Sequence, residues 1–151
     1  MDMKSIRINP PFYFAILIVA AIGMHFIIDI NRMIYPPYSY GGYVLVFSGS
    51  LITLWADYLF KKSGTTVKPY ERPCSLNTSG PFRISRNPMY LGFTFILLGV
   101  AVFMGILLMI IFPLIFVVIC ELVYIPVEEK CLEDVFGSNY TEYKRRVRRW
   151  L

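Results

Sequence analysis

The chain has 151 residues, 56% of them hydrophobic and 17% aromatic, with a mean hydropathy of +0.56. Long uncharged runs at that apolar share exclude an ordinary soluble domain. The formal charge of +5 sits in clusters that flank apolar runs, a membrane-surface pattern that argues against a nucleic-acid partner.

The first apolar run, 12–30, follows Lys4 and Arg7. It is too long for a signal-peptide core and lacks a small-residue cleavage region, so a retained span is expected. The run 43–60 makes a second span of the length a bilayer needs. Between them, "YPPYSYGGY" (35–43) reads as a short loop of turn residues and interfacial tyrosines. From Pro88 to Pro126 a single helix would be about 60 Å long at about 1.5 Å per residue, twice the hydrocarbon core of roughly 30 Å. It should fold back near Met104-Gly105, giving spans 88–104 and 106–126. The expected fold class is therefore all-α: a polytopic membrane protein of one domain, 1–151, with four spans and a C-terminal helical hairpin.

Of the fifteen Lys and Arg residues, all but Arg32 then fall on one side. The positive-inside rule places both termini and the 61–87 loop in the cytoplasm. Cys74, Cys120 and Cys131 form no CxxC pair, and His25 is the one histidine. A disulfide framework, a zinc site or a His-dependent triad has little material here, and no metal is expected. His25 and Asp29 share a helix face, as a proton relay or a packing hydrogen bond. Asp57 and Glu121 are the remaining ionisable groups within the apolar runs.

The loop from Lys61 to Asn87 is long, and Pro69, Pro73, Pro81, Gly64 and Gly80 make it irregular but stiff. Such loops are more often functional than idle. It ends in "SRNPMYLG" (85–92), a polar collar set against an apolar run. Pro88 suits a first helical turn, with Asn87 at the N-cap position. Capping explains those two residues but not Arg83, Arg86 and Tyr90 around them. A second collar, "PVEEKCLEDVFG" (126–137), follows the last span. Neighbouring helical residues point about 100° apart, so one of Glu128 and Glu129 faces inward easily. Glu128 is expected to do so, level with the first collar, while Glu133 and Asp134 face water. In "GSNYTEYKRRVRRWL" (137–151), Tyr140, Tyr143, Val147 and Trp150 or Leu151 line one side. An interfacial helix is expected there, as a lipid anchor in preference to a lid.

Taken in order, "GTTVKP", "LNTSGPFRISRNPMYLG" and "EEKCLEDVFGSNYTEYKRRVRRWL" around a hydrophobic hairpin resemble the isoprenylcysteine carboxyl methyltransferase and phospholipid methyltransferase superfamily, over residues 64–151. The resemblance implies a membrane enzyme that uses S-adenosylmethionine and releases S-adenosylhomocysteine. Cofactor-binding regions at 64–92 and 126–137 are implied with it. By position, it places the cofactor near Cys74, Ser75, Leu76, Asn77, Phe82, Arg86, Asn87, Pro88, Met89, Tyr90 and Glu128. The prenylcysteine enzymes carry an Arg four residues before the position of Glu128. Here Tyr124 stands at that substrate position, so a bidentate carboxylate clamp is missing. Methyl transfer from a sulfonium needs no Ser or Cys nucleophile, and no catalytic residue is assigned. The expected partners are a lipophilic acceptor (a carboxylate, amine or thiol) and membrane lipids. A sterol-reductase relative and a non-catalytic scaffold are the competing readings.

Overall fold

The computed structural model describes residues 9–27, 32–64 and 75–151. Cys74 and Asp29, and with Asp29 the His25 pair, lie outside the described residues, as does 65–74 of the long loop.

Helix α1 spans Pro10–Ile27 and α2 spans Gly41–Lys62, entered through a 3-10 turn at Tyr38–Tyr40. A second 3-10 turn, Gly80–Arg83, leads into α3, Pro88–Met104. Gly105 then adopts φ +74 and its N–H caps α3 on the Ala101 and Val102 carbonyls. Only glycine takes that left-handed conformation without strain. The Gly105 carbonyl accepts from the N–H groups of Met33 and Ile34, at 2.7 and 3.1 Å, and so ties the 32–35 segment to the hairpin. The fold-back falls where the chain's length against the bilayer requires it.

The return arm is one continuous rod, Leu107–Phe136. It contains a 3-10 turn, then α4 (Ile111–Ile119), a π turn (Cys120–Tyr124) and α5 (Ile125–Phe136). Pro126 explains the π turn. A proline inside a helix offers no N–H and crowds the carbonyl four residues back. Widening the preceding turn relieves that crowding, and the Ile125 N–H bonds the Cys120 carbonyl, an i to i−5 bond. The rod is 30 residues long, about 45 Å at about 1.5 Å per residue. It exceeds the hydrocarbon core, and its C-terminal turns carry the second polar collar to the membrane edge. Helix α6, Ser138–Arg146, follows after Gly137.

Among the described residues, three helices are long and apolar enough to cross a bilayer: Pro10–Ile27, Tyr38–Lys62 and Leu107–Phe136, with α3 a shorter apolar fourth. Large apolar side chains on α2 point outward, among them Phe47, Leu51, Leu54 and Tyr58. This is the inverted polarity of a lipid-facing surface, and the chain is an all-α multi-pass membrane protein.

Helix α3 is the centre of the bundle. On one side it meets α2 at two glycine crossings. A Cβ on Gly42 would lie 2.5 Å from the Gly99 carbonyl, and one on Gly49 would lie 2.5 Å from that of Gly92. With lipid as solvent, such backbone approach supplies the packing that apolar side chains cannot supply by burial alone. On its other side, Phe93 stacks on Phe14 at 4.5 Å and meets Phe116 edge-on at 6.0 Å. Leu17, Tyr90, Leu97, Cys120, Tyr124 and Ile125 complete this core.

The apolar face of α6 does not lie on lipid. Tyr140, Tyr143 and Val147 are buried against Leu76, Leu132 and Phe136. The helix ends at Arg146, and Val147 is extended, at φ −124 and ψ 135. The amphipathic spacing was legible in sequence, but spacing does not say whether lipid or protein covers the face.

Candidate functional site at the membrane edge

The first collar is built by short-range backbone turns and fixed by the C-terminal tail. Gly80, at φ +58, turns the chain into Pro81-Phe82. The Phe82 ring packs edge-on against Phe60 at the end of α2, 5.1 Å between centroids. Its carbonyl accepts from the buried Tyr143 hydroxyl at 2.7 Å. Ser85 and Arg148 form a parallel backbone bridge, and the Arg86 N–H bonds the Arg148 carbonyl at 2.9 Å.

Asn87 occupies the N-cap position of α3 but makes no side-chain cap bond. Its Nδ2 donates instead to the Arg149 carbonyl at 3.1 Å, and its N–H to Ser85 Oγ at 3.1 Å. Pro88 follows as the first helical residue, fully buried, and Met89 is half-buried. Within the first turn of α3, the Tyr90 hydroxyl donates to Glu128 Oε1 at 2.5 Å. This bond joins the two collars across 38 residues of sequence.

Both glutamates turn inward, where the spacing argument expected one. They do so because they meet different elements: Glu128 faces α3, and Glu129 faces the collar and the tail. Glu129 is 6% exposed. Its Oε1 receives Arg86 Nη1 at 2.8 Å and Arg149 Nε at 3.0 Å. Its Oε2 receives Arg149 Nη2 at 2.8 Å, with Lys144 Nζ at 3.7 Å. Arg149 Nη1 also bonds Glu121, whose second oxygen accepts from Trp150 Nε1 at 3.0 Å.

The π turn makes this possible. Glu121 and Glu129 are eight residues apart, which in an α-helix leaves them about 80° apart. One extra residue absorbed by the π turn brings them within about 20°, so a single guanidinium reaches both. Bonds to Glu129, then to Glu121, hold Arg149 firmly in its charged form. Burial, and next the Glu129 carboxylate, push the Tyr140 hydroxyl up to about 12.

The remaining positions fall as follows. Ser75 and Asn77 lie against the end of α2: Ser75 Oγ donates to the Ser63 carbonyl at 3.3 Å, and Ser63 Oγ to Asn77 Oδ1 at 2.6 Å. Leu76 belongs to the α6 cluster, which reaches the collar through Tyr143 and Phe82. Tyr124 is 1% exposed, packed in the bundle core beside the Tyr13 ring at 6.1 Å. Three buried side-chain nitrogens have no hydrogen-bond partner among the described residues: Asn77 Nδ2, Arg86 Nε and, in α1, His25 Nδ1. Glu133 pairs with Lys144 at 2.6 Å and stays half-exposed. Sequence reasoning missed Ser85, Glu121, Glu129 and Arg149 as one network. The proline six residues after Cys120 was the available signal for a register shift.

The phospholipid methyltransferase family profile matches residues 38–139, from the turn before α2 to the first residues of α6. An uncharacterized protein of Haemophilus influenzae is 40% identical over 63 residues, covering 42% of this chain and 100% of that one. No solved structure matches.

Proposed function

Because this chain belongs to the phospholipid methyltransferase family, we propose that it transfers the methyl group of S-adenosylmethionine to a lipophilic acceptor at the membrane surface. The carrying observation is the Tyr90–Glu128 bond, which draws the two polar collars together at one end of the bundle.

The residues present fit such a cofactor in type. Buried donors without a partner among the described residues, Arg86 Nε and Asn77 Nδ2, suit a carboxylate or another acceptor, since a buried donor left unanswered is costly. Glu128 is held through Oε1 by one hydroxyl, and its second oxygen suits an amino group or ribose hydroxyls. Glu129, by contrast, has both oxygens engaged by arginines and acts as a strut. The rings of Phe82 and Tyr90 are walls of the kind that favour a neighbouring cation, by about 0.5–2 kcal/mol. Cys74 and Ser75–Asn77, with Asn87, Pro88 and Met89, complete the proposed cofactor region.

When bound, S-adenosylmethionine supplies an electrophilic methyl on a sulfonium, so the protein's task is to bind, orient and exclude water. The collar lies at the water–lipid boundary because a polar cofactor and a lipophilic acceptor come from different phases. A carboxylate or thiolate acceptor needs no general base, whereas an amine must arrive neutral. Tyr124 in place of an Arg clamp, itself closed into the core, points away from a prenylcysteine carboxylate. Charge asymmetry puts the collars, the 61–87 loop and both termini in the cytoplasm.

The test is calorimetric titration of the detergent-solubilised protein with S-adenosylmethionine and S-adenosylhomocysteine, followed by labelled-methyl transfer to lipid extracts. Micromolar binding with labelled product supports the reading. Binding without transfer to any extract favours a non-catalytic scaffold, and no binding by folded protein overturns the cofactor.

A further inference from the structure

Resting on the cofactor reading above, we propose that Arg149 is a positioning residue for the site, fastening the C-terminal tail so that Arg86 presents its buried Nε–H to an anionic group of the ligand. Arg149 lies beyond the family match, which ends at residue 139.

One residue here holds both halves of the site. Its guanidinium takes Glu129 with two nitrogens, Nε at 3.0 Å and Nη2 at 2.8 Å, and Glu121 with the third. Its carbonyl oxygen takes Ser85 Oγ at 3.0 Å and Asn87 Nδ2 at 3.1 Å. Side chain and main chain thus clamp the acidic rod to the collar from opposite ends of the same residue. A solvated surface ion pair does not engage the backbone in this way. Forked recognition of a carboxylate fixes direction as well as distance, so Arg149 fixes where the Glu129 oxygens point. Arg86 shares Oε1 of that carboxylate at 2.8 Å. The remaining edge of the Arg86 guanidinium, Nε, is buried and without a partner among the described residues. Its direction is therefore set by Glu129, and Glu129 is set by Arg149.

The experiment is calorimetric titration of S-adenosylhomocysteine into the full chain and three variants in detergent: Arg149→Gln, Glu129→Gln and the double variant. Helicity and melting temperature are recorded for each. Arg149→Gln is expected to weaken binding about tenfold or more. The double variant should bind no more weakly than the worse single one, because both changes release the same Arg86, and residues in one network are not additive. A role confined to general stability would instead lower the melting temperature of Arg149→Gln and leave the affinity of its folded protein unchanged, which overturns the proposal.

Arg149→Lys keeps the charge but has one donor head where the site uses three nitrogens. It guards against misfolding of the Gln variant and should bind about threefold or more weakly. Wild-type affinity in Arg149→Lys would overturn the forked geometry. Failure of the unmodified chain to bind would overturn the cofactor reading itself, and with it this role. A binding wild type with an indifferent Arg149→Gln would overturn this role alone.

Discussion

The Tyr90 hydroxyl and Glu128 Oε1 stand 2.5 Å apart, with Tyr90 in the first turn of α3 and Glu128 on the emerging end of the return rod. The bond holds the two arms of the hairpin together at their polar end. Removing it with Tyr90→Phe keeps the ring, and so the packing against Phe116. Leaving a buried hydrogen-bond partner unanswered costs about 1–3 kcal/mol, and Tyr90→Phe should destabilise the fold by about that amount. Glu128→Gln should keep the fold and weaken S-adenosylhomocysteine binding about tenfold or more, read by calorimetry. Unchanged affinity there would remove Glu128 from the site.

Neighbouring acids should behave differently. Glu133 is half-exposed and pairs with Lys144, so Glu133→Gln should cost less than about 1 kcal/mol. Glu129→Gln leaves a buried guanidinium partly uncompensated and should cost about 3 kcal/mol or more. Melting temperatures of the two variants in the same detergent give the comparison, and equal shifts would contradict the assignment of Glu129 as the strut.

The α2–α3 contact depends on the absence of side chains. A Cβ at Gly92 would fall on Thr53 Oγ1 and lie 2.6 Å from the Gly49 carbonyl. Backbone cannot yield as a flexible side chain can, so Gly92→Ala should destabilise by about 1–3 kcal/mol or more. Gly23→Ala in α1 has nothing within 4 Å of the new Cβ and should be neutral or slightly stabilising through helix propensity. Thermal unfolding of the pair tests whether the close approach is real.

Alkaline pH should release the tail. The folded Tyr140 hydroxyl is raised to about 12 by burial and then by the Glu129 carboxylate, against about 10 in the unfolded chain. A raised folded value contributes stability that is complete below the unfolded value and lost as pH climbs through the folded one. Melting temperature should therefore fall between about pH 10 and about pH 12, and fall less steeply in Tyr140→Phe. A parallel fall in both proteins would place the titration elsewhere.

Much of this architecture was legible from the sequence. Apolar run lengths marked out the long helices, and the length of 88–126 against the bilayer required the hairpin near Gly105, where the left-handed turn stands. Turn chemistry and charge placed the two collars at one end, and Glu128 with Tyr90 could be named before any contact was known. These features depend on local composition and on the length of one element, both written along the chain.

Tertiary structure alone decided the rest, because each case turns on what covers a face. Tyr140, Tyr143 and Val147 have the spacing of a lipid anchor, yet they pack on Leu76, Leu132 and Phe136. Asn87 has the position of a cap, yet its amide reaches Arg149. Glu121 and Glu129 share a face only after the π turn shifts the register ahead of Pro126. Periodicity describes an isolated helix, whereas partner choice is fixed by surfaces that meet across long sequence separations.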